Sequence, residues 1–136
     1  MIYITRREHF NAAHRLFKKE WTDEKNLEVF GKCSNPNWHG HNYELFVTVK
    51  GNPNSETGFV MNLKMLSSII KEKVLDLIDH KNFNLEVEFL KNIQPTTENV
   101  AIAIWNQIAT DIIKAGAQLH CVKLVETENN YVEYFG

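Results

Sequence analysis

The order of the local patterns along the chain constrains the fold more than any other sequence feature. β-rich segments lie at both ends, and two segments with apolar residues at helical spacing lie between them. The first helix is predicted from Asn62, as N-cap, to about Ile78, and the second from Thr96–Glu98 to about Gly116. Grouping of this kind predicts an α+β fold, with two helices on one face of an antiparallel sheet.

Strands are predicted on both sides of these helices. They share β-branched and aromatic residues and comprise Ile2–Leu16, with an irregularity at Asn11–Ala13, then Asn42–Gly51, Gly58–Met61, and two strands on either side of Asn129–Asn130. We expect Asn42–Gly51 and Gly58–Met61 to form a hairpin, because the residues between them favour turns. Lys18–Gly31 is polar and weakly periodic, so it is predicted to be a loop with at most a helical turn. Lys32–Asn37 is also predicted to be a loop.

The predicted sheet would have open edges. Its strands carry many apolar and β-branched residues, including Val47, Val49, Val122, Leu124 and Tyr131. Exposed edges of this kind tend to pair with other chains unless they are covered. We therefore expect an oligomer in which sheets join edge to edge.

Composition narrows the class of protein. A length of 136 residues fits a single domain spanning 1–136, and 43% hydrophobic with 24% charged residues is typical of a soluble globular protein. The net charge of −2 gives no reason to expect nucleic acid or an anionic membrane as a partner, and no apolar run approaches the ~20 residues of a membrane span. Two cysteines and no signal-peptide pattern predict a cytoplasmic protein with reduced thiols.

The segment CSNPNWHGH, which ends at His41, concentrates the residues with catalytic chemistry. His39 and His41 are two residues apart at the entrance to a predicted strand, so their imidazoles point to the same face. A catalytic zinc site usually has three protein ligands and an open position, and His14 is the best candidate for the third. The spacing leaves four alternatives open, which are His9, His80, His120 and the thiolate of Cys33.

Two further groups have chemistry that suits a metal site. A thiol close to a dication, as Cys33 would be, has a lowered pKa and can act as a base or a nucleophile. Asp79 precedes His80 at the end of the first predicted helix, where a carboxylate can orient an imidazole for proton transfer. The alternative for His80 is a histidine stabilised by the helix dipole. Cys121 lies in a predicted buried strand and is expected to be a small core residue.

Six segments together resemble the 6-pyruvoyl tetrahydropterin synthase family. They occur in order along nearly the whole chain and are FNAAHRL, FGKCSNPNWHGHNYEL, GFVMNL, IDHKNF, PTTENV and VETENN. The resemblance implies a T-fold, which is an antiparallel sheet with two helices on one side. It also implies trimers that close a barrel from their sheets and stack into homohexamers.

The resemblance also implies a role for each site residue. The implied zinc ligands are His14, His39 and His41, and the implied catalytic groups are Cys33 and the proton-transfer pair Asp79 and His80, which reaches the pocket from a neighbouring subunit. Glu126 takes the place of the glutamate that binds the guanidine-like edge of the pterin, since a carboxylate accepts two parallel N–H bonds. Thr96, Thr97 and Glu98 match the segment that lines the pterin pocket.

The implied reaction is a lyase reaction on 7,8-dihydroneopterin triphosphate, which loses triphosphate to give 6-pyruvoyl tetrahydropterin. The alternative is a 6-carboxytetrahydropterin synthase of deazaguanine (queuosine) biosynthesis, which releases acetaldehyde as well. The five residues between Cys33 and His39 resemble the pyruvoyl type, whereas Trp38 replaces the glycine usual before HGH. A non-catalytic pterin-binding module is the third reading. Candidates for triphosphate contacts are Arg15, Lys18 and Lys32, although solvated surface residues look the same.

Overall fold

The structure, a computed structural model that describes all 136 residues, contains five strands and four α-helices. In chain order these are β1 (Ile2–His14), α1 (Asp23–Phe30), β2 (His39–Gly51), α2 (Leu63–Ile70), α3 (Asp76–Ile78), β3 (Lys81–Asn82), α4 (Thr97–Lys114), β4 (Gln118–Thr127) and β5 (Asn130–Tyr134). The strands form one sheet in the order β3–β1–β2–β4–β5. The predicted α+β class is therefore confirmed.

The sheet is mixed, so the prediction of a purely antiparallel sheet is wrong. β1 pairs with β2, β2 with β4 and β4 with β5 in antiparallel fashion, whereas β3 runs parallel to β1 and pairs Ala12 with Lys81. The irregularity expected at Asn11–Ala13 is also absent, because the β1–β2 register runs unbroken from Ile2 opposite Gly51 to His14 opposite His39. This unbroken pairing sets the position of His14.

The predicted strand at Gly58–Met61 does not form, and neither does its hairpin with β2. Both sides of β2 are already occupied, by β1 and by β4, so no edge remains for a further strand. Asn54 instead closes a loop, in which its amide donates to the Phe59 carbonyl at 2.9 Å and its carbonyl accepts from the Gly58 amide at 2.8 Å. The two strands predicted around Asn129–Asn130 do form a hairpin, as β4 and β5.

The two predicted helices are confirmed. Asn62 caps α2 by accepting from the Lys64 amide at 2.9 Å, and helical structure continues to Ile78 through a π-helical turn at Lys71–Leu75 and through α3. Thr96 caps α4, which ends at Lys114. No helix combines the length and the apolar character that crossing a membrane requires.

α1 is an eight-residue helix in the segment that was predicted to be a loop with at most a helical turn. The Thr22 hydroxyl accepts from the Lys25 amide at 3.1 Å, which is a standard N-cap. Asn26 is buried, and its side chain bonds both the amide and the carbonyl of Lys18, at 2.8 and 3.0 Å. A polar anchor of this kind leaves no apolar periodicity in the sequence, which is why the pattern did not predict the helix.

One cluster of 24 buried residues forms the core. Alternate residues of β2, from Tyr43 to Val49, contribute to it together with apolar residues of α2 and α4. Leu66 of α2 and Ile104 and Ile108 of α4 are completely buried in this cluster. The core therefore fixes the face of β2 that carries Tyr43, and His39 and His41 lie on the same face because side chains alternate along a strand.

Candidate metal centre and active site

Three histidines meet where β1 ends and β2 begins. His14 is the last residue of β1 and pairs directly with His39, the first residue of β2. His41 follows two residues later on the same face of β2. One candidate ligand atom of each histidine lies within 4.8 Å of the other two. The three residues are therefore positioned to hold one metal ion.

The hydrogen bonding of these histidines fits a metal ligand set. Nδ1 of His14 lies 2.8 Å from the Pro95 carbonyl, which can only accept, so Nδ1 carries the proton and Nε2 is free to bind. Nε2 of His14, Nδ1 of His39 and Nε2 of His41 are all buried and have no hydrogen-bond partner. Each such atom costs about 1–3 kcal/mol when left unpaired. A bound cation would satisfy all three.

Electrostatics favour the metal-binding form of two of these imidazoles, those of His14 and His39. Burial lowers the pKa of His14 below its ordinary value of 6.5. Burial also lowers the pKa of His39, and the proximity of His41 lowers it further. Neutral imidazole is the ligand form, so these shifts reduce the competition between protons and a metal ion at neutral pH.

The other candidate ligands lie outside this group. His9 is exposed on β1, and His120 packs against Tyr3, with 4.6 Å between ring centroids, near the opposite end of that strand. Cys33 is not among the atoms that approach one another within 4.8 Å. The structure thus separates the thiol from the ligand set and leaves it as a neighbouring group.

Cys33 borders two cavities next to the three histidines. It lies in the 3-10 turn Gly31–Ser34, whose position is held by a bond from the Leu16 amide to the Cys33 carbonyl at 2.9 Å. A cavity of about 800 Å³ is lined by Cys33, His39, His41, Arg15, Lys32 and Trp38. A second cavity of about 410 Å³ is lined by Cys33, His14, Glu126 and the segment 96–98.

Glu126 lies on β4 within reach of the three-histidine group. Its Oε1 is 3.8 Å from Nε2 of His41, and its Oε2 accepts a hydrogen bond from the Thr97 hydroxyl. The Thr96 hydroxyl is used instead as the N-cap of α4 and accepts a backbone amide at 3.3 Å. Glu98 lines the second cavity together with both threonines.

Two of the three candidates for triphosphate contacts line the large cavity. Arg15 and Lys32 line it, and Nε of Arg15 donates to the Ser34 carbonyl at 2.7 Å. Lys18 lies outside it, with its ammonium 4.8 Å from the centre of the Trp21 ring. The large cavity is therefore lined by two cationic side chains as well as by His39 and His41.

Asp79 and His80 do not join Cys33 within one chain. His80 lines neither cavity beside Cys33 but a further cavity of about 470 Å³, whose lining it shares with Gly40, His41 and Asn42. Oδ1 of Asp79 lies 2.9 Å from Nδ1 of His80 and accepts from the Asn11 amide at 3.0 Å. Desolvation acts to raise the pKa of Asp79, but these hydrogen bonds and the nearby imidazole lower it overall.

Two site features were missed or left open by the sequence. Tyr43 is 1% exposed, and its hydroxyl is buried without a hydrogen-bond partner. Tyr43 lies four residues after His39 on one strand, so the alternation of side chains places both on the same face. This spacing could have predicted Tyr43 as a site residue. Trp38 lines the large cavity and has a left-handed backbone, with φ of 67°. The left-handed conformation is uncommon for a bulky residue and costs energy.

Comparisons with known proteins agree with this geometry. Residues 3–136 match the sequence model of a family described as 6-pyruvoyl tetrahydropterin synthase. A Pongo abelii protein named 6-pyruvoyl tetrahydrobiopterin synthase is 47% identical over 133 residues, which cover 98% of this chain and 90% of that protein. A Rickettsia typhi protein named 6-carboxy-5,6,7,8-tetrahydropterin synthase is 29% identical over 150 residues, which cover 98% and 99%. The solved structure of Caenorhabditis elegans 6-pyruvoyl tetrahydropterin synthase is 37% identical with a TM-score of 0.91, and the match covers 99% of this chain and 95% of that chain.

Proposed function

Because the chain belongs to the 6-pyruvoyl tetrahydropterin synthase family, we propose that it converts 7,8-dihydroneopterin triphosphate to 6-pyruvoyl tetrahydropterin with loss of triphosphate. The proposed enzyme is a carbon–oxygen lyase with Zn²⁺ held by His14, His39 and His41. The observation that carries the proposal is the set of three buried, unpaired ring nitrogens within 4.8 Å of one another.

The donor set fits zinc. Three imidazoles with an open side are a common ligand set of catalytic zinc sites, and all three ligand nitrogens lack competing hydrogen bonds. The proton on Nδ1 of His14 is held by the Pro95 carbonyl, which fixes both the tautomer and the ring orientation. Bound zinc would supply a Lewis acid that makes protons beside a coordinated side-chain oxygen more acidic.

Cys33 is proposed as the base for those protons. It lines both cavities beside the histidines without belonging to the ligand set, so its thiolate would be free to remove and return a proton on the substrate side chain. A nearby dication would favour the thiolate over the thiol. Arg15 and Lys32 lie in the same cavity and would bind the triphosphate.

Glu126 is proposed to bind the pterin ring from the second cavity. The hydrogen bond from Thr97 orients one carboxylate oxygen and leaves the other toward His41. A carboxylate held in this way would accept the paired N–H groups of the amino-pyrimidinone edge. Thr96 and Glu98 would shape the cavity wall rather than contact the carboxylate.

Asp79 and His80 are proposed to serve the active site of a neighbouring subunit. They form a preorganised acid–base pair at an exposed position away from Cys33, so an assembly would be needed to bring them to substrate. The outer strands β3 and β5 leave sheet edges at which further chains could pair. We propose a T-fold homohexamer, built as a dimer of trimers, on these grounds.

The alternative function is the 6-carboxytetrahydropterin synthase reaction, in which acetaldehyde is released in addition to triphosphate. Trp38 is the observation that favours this alternative, because a large indole in the wall of the large cavity would change the space for the substrate side chain. The greater identity to a pyruvoyl-type relative favours the main proposal.

The test is incubation of the purified protein with Zn²⁺ and 7,8-dihydroneopterin triphosphate, followed by mass analysis of the products. We expect 6-pyruvoyl tetrahydropterin and triphosphate. The carboxy product with acetaldehyde would replace the main proposal by the alternative. Zinc and pterin binding without turnover would indicate a binding module, and a fully active Cys33→Ala variant would remove the proposed role of the thiol.

A further inference from the structure

Four buried side-chain nitrogen or oxygen atoms in the whole chain lack a hydrogen-bond partner, and they are close together. Three are the ligand nitrogens of His14, His39 and His41, and the fourth is the hydroxyl of Tyr43. A metal ion accounts for the first three. The tyrosine hydroxyl remains unexplained, because buried polar groups in folded proteins almost always have a partner.

Packing holds the Tyr43 ring against the three-histidine group. Tyr43 follows His41 by two residues on β2, and its ring centroid is 5.5 Å from that of His41 and 6.3 Å from that of His14. Phe10, stacked at 4.9 Å, and Phe83, at 5.5 Å, also pack against the ring. The hydroxyl therefore has little freedom to turn towards another partner.

Neither the protein nor bulk solvent satisfies this hydroxyl. No side chain or backbone group bonds it, and the atom is sealed from solvent. A phenol O–H that is buried usually finds an acceptor, so this hydroxyl is available to a group that enters the site. An oxygen atom on the open side of a three-histidine metal site is the group with the required chemistry.

We propose that Tyr43 is a positioning residue, whose hydroxyl donates a hydrogen bond to the oxygen ligand that completes the coordination of the metal held by His14, His39 and His41. The inference rests on the proposed metal site of the proposed function and assigns it a fourth protein group. In this arrangement the hydrogen bond of the hydroxyl forms when the site is loaded. Partners of this kind outside the ligand set typically affect metal affinity by 10–100-fold.

The test compares Tyr43→Phe with Tyr3→Phe, a control that removes an exposed phenol from the far end of β1. Both changes keep the aromatic ring. We expect Tyr43→Phe to leave the urea midpoint of the metal-free protein unchanged or higher, because it deletes an unpaired buried hydroxyl. We expect its Zn²⁺ affinity, measured by competition with a chromophoric chelator, to fall about tenfold or more, and the control to match the parent protein.

Two results would overturn the proposal. Unchanged Zn²⁺ affinity of Tyr43→Phe would show that the hydroxyl does not bond an oxygen ligand of the metal, and a lower urea midpoint of the metal-free variant would then show that its partner lies within the protein. A phenolate-to-copper absorption band in Cu²⁺-loaded protein that Tyr43→Phe abolishes would show that Tyr43 binds metal directly. Zn²⁺ affinity and stability are measured without substrate. If the parent protein showed no turnover, the proposed function would be refuted, but the test of Tyr43 could still be interpreted.

Discussion

The three-histidine group and the Asp79–His80 pair lie near the same end of β1, but one chain completes only the first. The ligand nitrogens of the group are buried and mutually close, whereas the side chain of His80 is 74% exposed. His14 is placed by strand pairing, and Asp79 is placed by a hydrogen bond from the Asn11 amide. The difference indicates that one chain assembles the proposed metal site by itself and presents the proposed acid–base pair outwards.

The largest expected effect is the loss of a metal ligand. His39→Ala should lower Zn²⁺ affinity about 10³-fold and abolish turnover, because two imidazoles do not form the three-ligand site. Chelator competition measures the affinity, and the rise in melting temperature on adding Zn²⁺ gives an independent readout. His9→Ala is the matched control, since His9 is an exposed histidine of β1. Equal Zn²⁺ affinity in the two variants would show that the metal is held elsewhere.

The second effect tests whether the acid–base pair serves another chain. His80→Ala should lower turnover about a hundredfold, as expected for loss of a general acid or base, while Zn²⁺ affinity stays unchanged. Cys33→Ala should be similarly impaired. After the two variants are mixed, unfolded and refolded together, we expect part of the activity to return, because some sites then combine an intact Cys33 with an intact His80.

Rescue depends on the site being shared between chains. If Cys33 and His80 acted within one chain, every chain in the mixture would lack one of the two groups and no activity would return. Each variant refolded alone is the control for the procedure. Absence of rescue, with assembly confirmed by light scattering, would contradict the proposed arrangement.

Two residues of the candidate metal site could be predicted from the local sequence, but the third histidine could not be chosen from it alone. The two-residue spacing of His39 and His41 placed both rings on one face without any tertiary information. His14 was the best of several candidates for the third ligand, and the choice stayed open because it depends on a β1–β2 register that spans the whole length of both strands. The contact of Thr97 with Glu126 likewise joins residues 29 positions apart.

The errors in the fold have the same origin. A β-like segment at Gly58–Met61 failed to pair because β1 and β4 already occupy both sides of β2. β3 consists of only two residues, too few to give a pattern, and exists because β1 offers an edge. Local patterns predict what a segment can do, and the availability of partners decides what it does.

The third effect is on the pH dependence of stability, because the two regions contribute to the free energy of unfolding in different pH ranges. The pKa values of His14 and His39 are lowered on folding, so the unfolded chain binds more protons below about pH 6.5. The metal-free protein should therefore be stable above that pH and lose stability as the pH falls through the lowered values. Asp79 also has a lowered pKa, but its contribution is present above about pH 3.9 and is lost only below it.

Urea titrations of the metal-free protein between pH 8 and pH 3 measure this separation. His39→Asn should reduce the slope of stability against pH below pH 6.5, because it removes one of the titrating groups. Asp79→Asn should leave that slope unchanged and alter only the acid end. A parent protein whose stability does not change between pH 7 and pH 5 would contradict the burial argument for the histidines.

The smallest expected effect concerns backbone strain, which each region stores at one non-glycine residue. Trp38 and His80 have φ of 67° and 59°. Left-handed geometry costs about 1–2 kcal/mol for residues with a Cβ, and the greater chain entropy of glycine offsets part of the relief. At both positions the Gly variant should therefore be more stable than the Ala variant by about 0.5–1 kcal/mol. Asn37, which lacks a positive φ, should show the opposite order in the same urea titrations. If the Gly variant were more stable than the Ala variant at position 80 but not at position 38, only His80 would be strained. The left-handed backbone of Trp38 would then carry no energetic cost.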